Sequence, residues 1–149
     1  MKLLLENWRE YLKESEGLNL NWESPNFKHE WDEAQSYPLL SVLGYDTWIE
    51  IAESGREMDI TLDLLGQIEN TTAPSPDVAR EEWKNLEPAS KQRFLDALKS
   101  GVIEMPIVVK IDGKYVLLAG NHRLTGLVAR NIFPIVVWLI DVDRLGYAE

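Results

Sequence analysis

The chain has 149 residues, 45% of them hydrophobic and 27% charged, with no cysteine and a formal net charge of −10. This is the make-up of a soluble globular domain with an appendage, and it excludes collagen-like, coiled-coil and wholly disordered chains, disulfides, thiolate metal sites and thiol nucleophiles. The acid excess sits in the first half, where residues 1–75 carry 5 basic and 15 acidic side chains against 10 and 10 in residues 76–149, so a nucleic-acid partner is not expected.

Leu4, Leu5, Trp8, Tyr11 and Leu12 recur at helical spacing with Glu6, Arg9, Glu10 and Lys13 between them, which predicts an amphipathic helix ending near Gly17. The same charges interrupt Leu3–Leu5 before a secretory signal could form, and no apolar run approaches the roughly 20 residues of a membrane span. The expectation is a cytoplasmic protein without membrane contact. From Asn19 to Tyr37 polar and acidic residues separate Trp22, Phe27 and Trp31, the pattern of an extended connector pinned by isolated aromatics. Leu39–Leu43 and the segment with Trp48, Ile51 and Ala52 read as two short helices stopped by Gly44 and Gly55.

Ile60–Leu65 begins with period-two alternation and ends at Gly66, which predicts a strand running into a loop over Gln67–Pro76. Ser75, Pro76 and Asp77 open a helix, with Ser75 as N-cap, and Pro88 resets it into a second helix carrying Phe94, Leu95 and Leu98 and stopping at Gly101. Pro106–Ile111 and Lys114–Ala119 flank Asp112-Gly113, a dipeptide that accepts the positive φ angles of a two-residue hairpin turn. Leu124, Leu127, Val128 and Ile132 return to helical spacing, and Pro134 introduces a last strand, Ile135–Ile140. The predicted order is strand, turn, helix, strand, with the last nine residues a tail.

The stretch most able to carry chemistry is Leu117–Thr125, which joins an apolar strand to a helix through Gly120-Asn121-His122-Arg123. Gly120 lets the backbone approach a ligand, the free amides of the helix start can donate to an anion, and the Arg123 guanidinium can hold two phosphate oxygens. His122 can add a hydrogen bond or move a proton near neutral pH. The plainer account of the same residues is an N-cap asparagine, a boundary histidine and an arginine snorkelling from a helix flank. With His29 as the only other histidine, a His-rich zinc site is not expected.

The run from Asp59 to Ile140 resembles the ParB/sulfiredoxin superfamily. The likeness is carried by Met105–Val109, Asp112-Gly113, Tyr115–Gly120, the Gly-x-His-Arg motif at Gly120–Arg123 and the strand after Pro134. It implies an α+β fold, a small mixed sheet with packed helices, over residues 57–143, preceded by an N-terminal helical extension and connector (1–56) and followed by a tail (144–149). It also implies that the glycine turn binds nucleotide phosphates, ATP, ADP or CTP depending on the branch. Sulfiredoxins carry a catalytic cysteine where Asn121 stands, so their reaction is excluded. Chromosome-partitioning ParB proteins usually have two arginines at the positions of His122 and Arg123 and continue into a DNA-binding domain, so centromere binding is not expected.

The nearest relatives with Gly-x-His-Arg are the small free-serine-kinase-like and ParB-like nuclease members. In the kinases a glutamate in the loop after the first strand is thought to activate the substrate hydroxyl, and Glu69 falls at the comparable place. The resemblance thus implies magnesium-dependent phosphoryl transfer or hydrolysis with ATP or ADP, or else CTP. Gly120, Asn121, His122 and Arg123 would hold phosphates, Glu69 and His122 would be catalytic, Glu69 would also bind the metal, and a small hydroxyl compound would be the acceptor. Asp63, Asp77 and Glu104 are lesser candidates. Two alternatives stand beside this: a nuclease, and a non-catalytic module with a degenerate nucleotide site whose Trp-rich N-terminal region binds a protein. The opening Leu3–Arg9 is similar to leaders of phage sequences, which would place the protein in a host cytoplasm.

Overall fold

A computed structural model describes residues 20–36 and 38–145. The expected helix over Leu4–Leu12 lies outside them. The centre of the fold is the hairpin that Asp112-Gly113 announces. Strands β5 (Ile107–Ile111) and β6 (Lys114–Ala119) pair antiparallel, and the two turn residues take φ of 52° and 74°. The turn amides of Asp112 and Gly113 donate to the two carboxylate oxygens of Asp143 at 2.7 and 2.8 Å. Strand β7 (Ile135–Asp141) runs parallel to β5 on its other side.

Two further strands complete the sheet. β2 (Arg56–Ile60) lies antiparallel to β7, and the two-residue β3 (Ile68–Glu69) parallel to β6, giving the order β2-β7-β5-β6-β3. A separate pair, β1 (Asn21–Glu23) with β4 (Val102–Glu104), is parallel. The fold is therefore α+β with a mixed sheet.

The strands read as near-continuous apolar runs because both faces of the sheet are buried. Val108, Leu117, Ile135, Val137 and Leu139 face one side. Against that side pack α5 (Pro76–Asn85), α6 (Pro88–Ser100) and α7 (Asn121–Ala129) through Ala79, Phe94, Leu124, Leu127 and Val128. Ile107, Val109, Leu118 and Ile140 face the other side. There they meet α1 (Trp31–Ala34), α2 (Pro38–Leu43), α3 (Tyr45–Glu53) and the closing α8 (Val142–Leu145) through Ala34, Leu40, Trp48, Ile51, Ala52 and Val142. The Arg130 guanidinium lies 4.2 Å from the Trp83 ring centre and 5.1 Å from that of Phe94, joining α5, α6 and the end of α7; burial lowers its pKa. No helix among the described residues is long and apolar enough to cross a membrane.

Several expectations need correction. Ile60–Leu65 is not a strand. The strand is Arg56–Ile60, and Leu62–Leu65 is a helical turn, α4, whose N-cap Thr61 accepts from the Leu64 amide. An edge strand needs few buried side chains, and only Ile60 of β2 is fully buried, so the apolar pattern began one element late. The connector over 19–37 is not simply extended, since β1 and α1 form within it; β1 exists because β4 offers a partner distant in sequence. The supposed tail contributes α8 up to Leu145, held by Asp143 on the hairpin turn. The predicted strand, turn, helix, strand order holds as β5, β6, α7 and β7 with α7 beginning at the carboxyl end of β6, and β6 and β7 flank β5 and run antiparallel to each other.

Candidate functional site

The strand-to-helix junction is built on a glycine for two physical reasons. Gly120 takes φ 91°, a region that side chains disfavour, and a Cβ there would meet Pro106 Cα and Cβ and Arg123 Nη2, each at 2.9 Å. The first helical bond, from the Leu124 amide to the Gly120 carbonyl, is 2.8 Å. The amides of Asn121, His122 and Arg123 precede it, at the turn where a helix has no acceptors of its own. A register irregularity between Ile107 and Val108 sits beside this junction, where the hairpin ends at Pro106.

Asn121 has a use the sequence did not show. Its side chain does not cap α7 but clamps the loop after β3: Oδ1 accepts from Thr71 Oγ1 at 3.0 Å and from the Thr72 amide at 3.1 Å, and Nδ2 donates to Thr72 Oγ1 at 2.9 Å. Asn70, at φ 64°, donates from Nδ2 to the Leu117 carbonyl at 3.0 Å. The loop is thereby fixed to the end of β6 and the start of α7.

Between this loop, α6, α7 and the N-terminal strap lies a cleft of ≈ 820 Å³, within the range usual for small-molecule sites. Gly120, Asn121, His122 and Arg123 all line it, together with Thr71, Thr72, Ser90 and Arg93. Its apolar wall is Phe94, Ala97 and Leu117–Ala119. Arg93 Nη2 donates to Ser90 Oγ at 3.2 Å, and His122 is exposed to the cleft.

The acidic side of the cleft is Glu30, Glu33 and Glu104. Arg123 Nη1 lies 3.0 Å from Glu104 Oε2, so the guanidinium expected to be free for phosphate already holds a carboxylate. Glu104 Oε1 in turn accepts from the Asn26 amide at 2.8 Å, tying the strap to the same ion pair. Glu30, 9% exposed, has its pKa raised, chiefly by burial; Arg123 lowers it, Glu104 raises it, His29 lowers it and Glu33 raises it.

Glu69 is not brought to this group. It lies on β3 with its side chain 56% exposed, 4.0 Å from Lys114 Nζ, and does not line the cleft. β3 pairs along β6 and leaves that carboxylate outside, so the catalytic and metal-binding roles expected of Glu69 have no support in its placement. Asp63 and Asp77 sit in the first turns of α4 and α5, Asp77 paired with Arg80. Of the lesser candidates only Glu104 faces the cleft. Glu30 and Glu33 carried no sequence signal, because they reach the cleft through strap residues whose pairing is set by β4.

No protein-family model, curated protein or solved structure matches the chain.

Proposed function

We propose that the cleft binds a nucleotide through its phosphates, and that the protein carries out a magnesium-dependent phosphoryl transfer or hydrolysis of ATP or ADP. The observation that carries this reading is the opening of a nucleotide-sized cleft onto the start of the nine-residue helix α7, with Arg123 and His122 on its wall. Amides at a helix start carry positive potential and point outward, which suits phosphate oxygens. Gly120 lets the Arg123 guanidinium and Pro106 pack against the turn, Arg123 supplies charge-assisted bonds, and Asn121 contributes its amide while its side chain holds the 71–72 loop in place. His122 is the lining group suited to moving a proton.

Among the described residues no group of three or more His, Asp or Glu could hold a metal ion. Magnesium commonly needs only one or two protein carboxylates beside phosphates and water, and of the three cleft carboxylates Glu104, which also holds Arg123, and Glu33 could serve. When bound, the ion would offset charge on the phosphoryl group.

The Arg123–Glu104 ion pair favours a second reading, a binding module that does not turn its nucleotide over, since the guanidinium is already satisfied. Titration calorimetry with ATP, ADP, CTP and GTP, with and without magnesium, tests the common core. The expected result is saturable binding of at least one nucleotide, weakened tenfold or more, about 1.4 kcal/mol, in Arg123→Ala. No binding, or binding indifferent to that change, overturns it. Phosphate release under saturating nucleotide then separates the enzyme from the module.

A further inference from the structure

The carboxylate of Glu30 is the least explained group in the cleft. The residue is nine-tenths buried, its side chain does not cap α1, and its carboxylate makes no hydrogen bond or ion pair with any described residue; the oxygens are not sealed in the interior but open to the cleft that Glu30 lines. The strap that carries it is held firmly. The Met105 amide donates to the Glu23 carbonyl at 2.9 Å, the Asn26 amide to Glu104 at 2.8 Å, and the Glu30 amide to the Asn26 carbonyl at 3.1 Å. A carboxylate that opens into a partly desolvated cleft and has no protein donor is disfavoured as an anion, and a second anion in the same cleft makes it more so.

We propose, resting on the reading of the cleft as a phosphate site, that Glu30 makes anion binding proton-coupled: the ligand is held with Glu30 protonated, and the carboxylic acid donates to a ligand oxygen. One proton is taken from solvent as the ligand binds, and no covalent bond changes. The groups facing Glu30 all bear on this exchange. Arg123 on α7 favours the anion and Glu104 on β4, ion-paired to Arg123, disfavours it, His29 precedes Glu30 in the same turn, Glu33 follows on α1, and Arg93 of α6 lines the same cleft. Burial already holds its pKa above the ordinary carboxylate range, with Arg123 pulling it down. A phosphate on Arg123 adds negative charge and occupies that guanidinium, so the pKa rises further on binding. Affinity is therefore full below the value in the empty cleft, falls as pH climbs from there to the value in the complex, and levels off above it.

The test is titration with ADP, and separately with inorganic phosphate, from about pH 5 to about pH 8 for the protein and for Glu30→Gln. The ligand's own ionisation is common to both proteins, so the ratio of their dissociation constants isolates Glu30. The expected ratio favours the Gln variant increasingly as pH rises, by about tenfold across the window. Calorimetry in two buffers of different ionisation enthalpy should show greater proton uptake by the unaltered protein. Binding by both proteins with a ratio independent of pH and equal proton uptake overturns this proposal alone. Absence of binding by both at every pH overturns the phosphate site with it.

Discussion

Gly120 and Arg123 shape the wall of the cleft, and Gly120 can be tested by the addition of one methyl group. At Gly120 a methyl group would press on Pro106 and on the Arg123 guanidinium in a backbone region that alanine avoids. Gly120→Ala should cost about 1–3 kcal/mol in urea unfolding and move Arg123 off its line to Glu104. An unchanged midpoint would show that the junction relaxes freely. The glycine, the histidine and the arginine were legible as a group from the sequence, because they fall where an apolar strand run gives way to helical spacing. The partner of Arg123 was not, since Glu104 lies 19 residues away on a strand too short to leave a pattern.

At the level of elements, the hairpin β5–β6 and the helices α5 and α6 followed from their turn and cap residues. Asp112-Gly113 and Gly101 take positive φ angles, Pro76 fixes φ at the first helical position, and the Ser75 side chain accepts from the Val78 amide. The sheet edges did not follow, because β2 buries one residue fully and β3 is two residues long, so both exist by pairing with strands remote in sequence. Glu69, expected at the cleft from the resemblance's loop after the first strand, is instead the second residue of β3, paired with Val116 of β6. The loop after β3 is instead positioned by Asn121. Asn121→Ala removes three hydrogen bonds and should destabilise the fold by about 1–3 kcal/mol, with faster hydrogen exchange at residues 70–73. Protection there equal to that of the unaltered protein would mean the clamp is redundant.

For the molecule as a whole, two-faced burial of a mixed sheet explains why the β5, β6 and β7 runs are nearly all apolar, and why the helices before and after them are both needed. The strap bearing Glu30 belongs to this packing through Phe27, Trp31 and Ala34, so its carboxylate enters the stability of the fold as well as the chemistry of the cleft. A carboxyl group whose pKa is raised by folding contributes its full stability below the unfolded value and loses it as pH rises through the folded value. Glu30→Gln should therefore unfold at higher denaturant than the unaltered protein at neutral pH, with the gap closing in acid below the ordinary carboxylate range. A gap that persists unchanged into acid would deny Glu30 this role.

The most direct measurement for the proposed phosphate site is a backbone amide NMR titration of the unaltered protein with ADP and magnesium. Saturable shifts should centre on residues 120–124 and on the 70–73 loop across from them, and Arg123→Ala should move their saturation to about tenfold or more higher ligand concentration. Saturable shifts confined to the opposite face of the sheet, around Trp48 and Ile51, or no shifts at all, would contradict the assignment of the cleft.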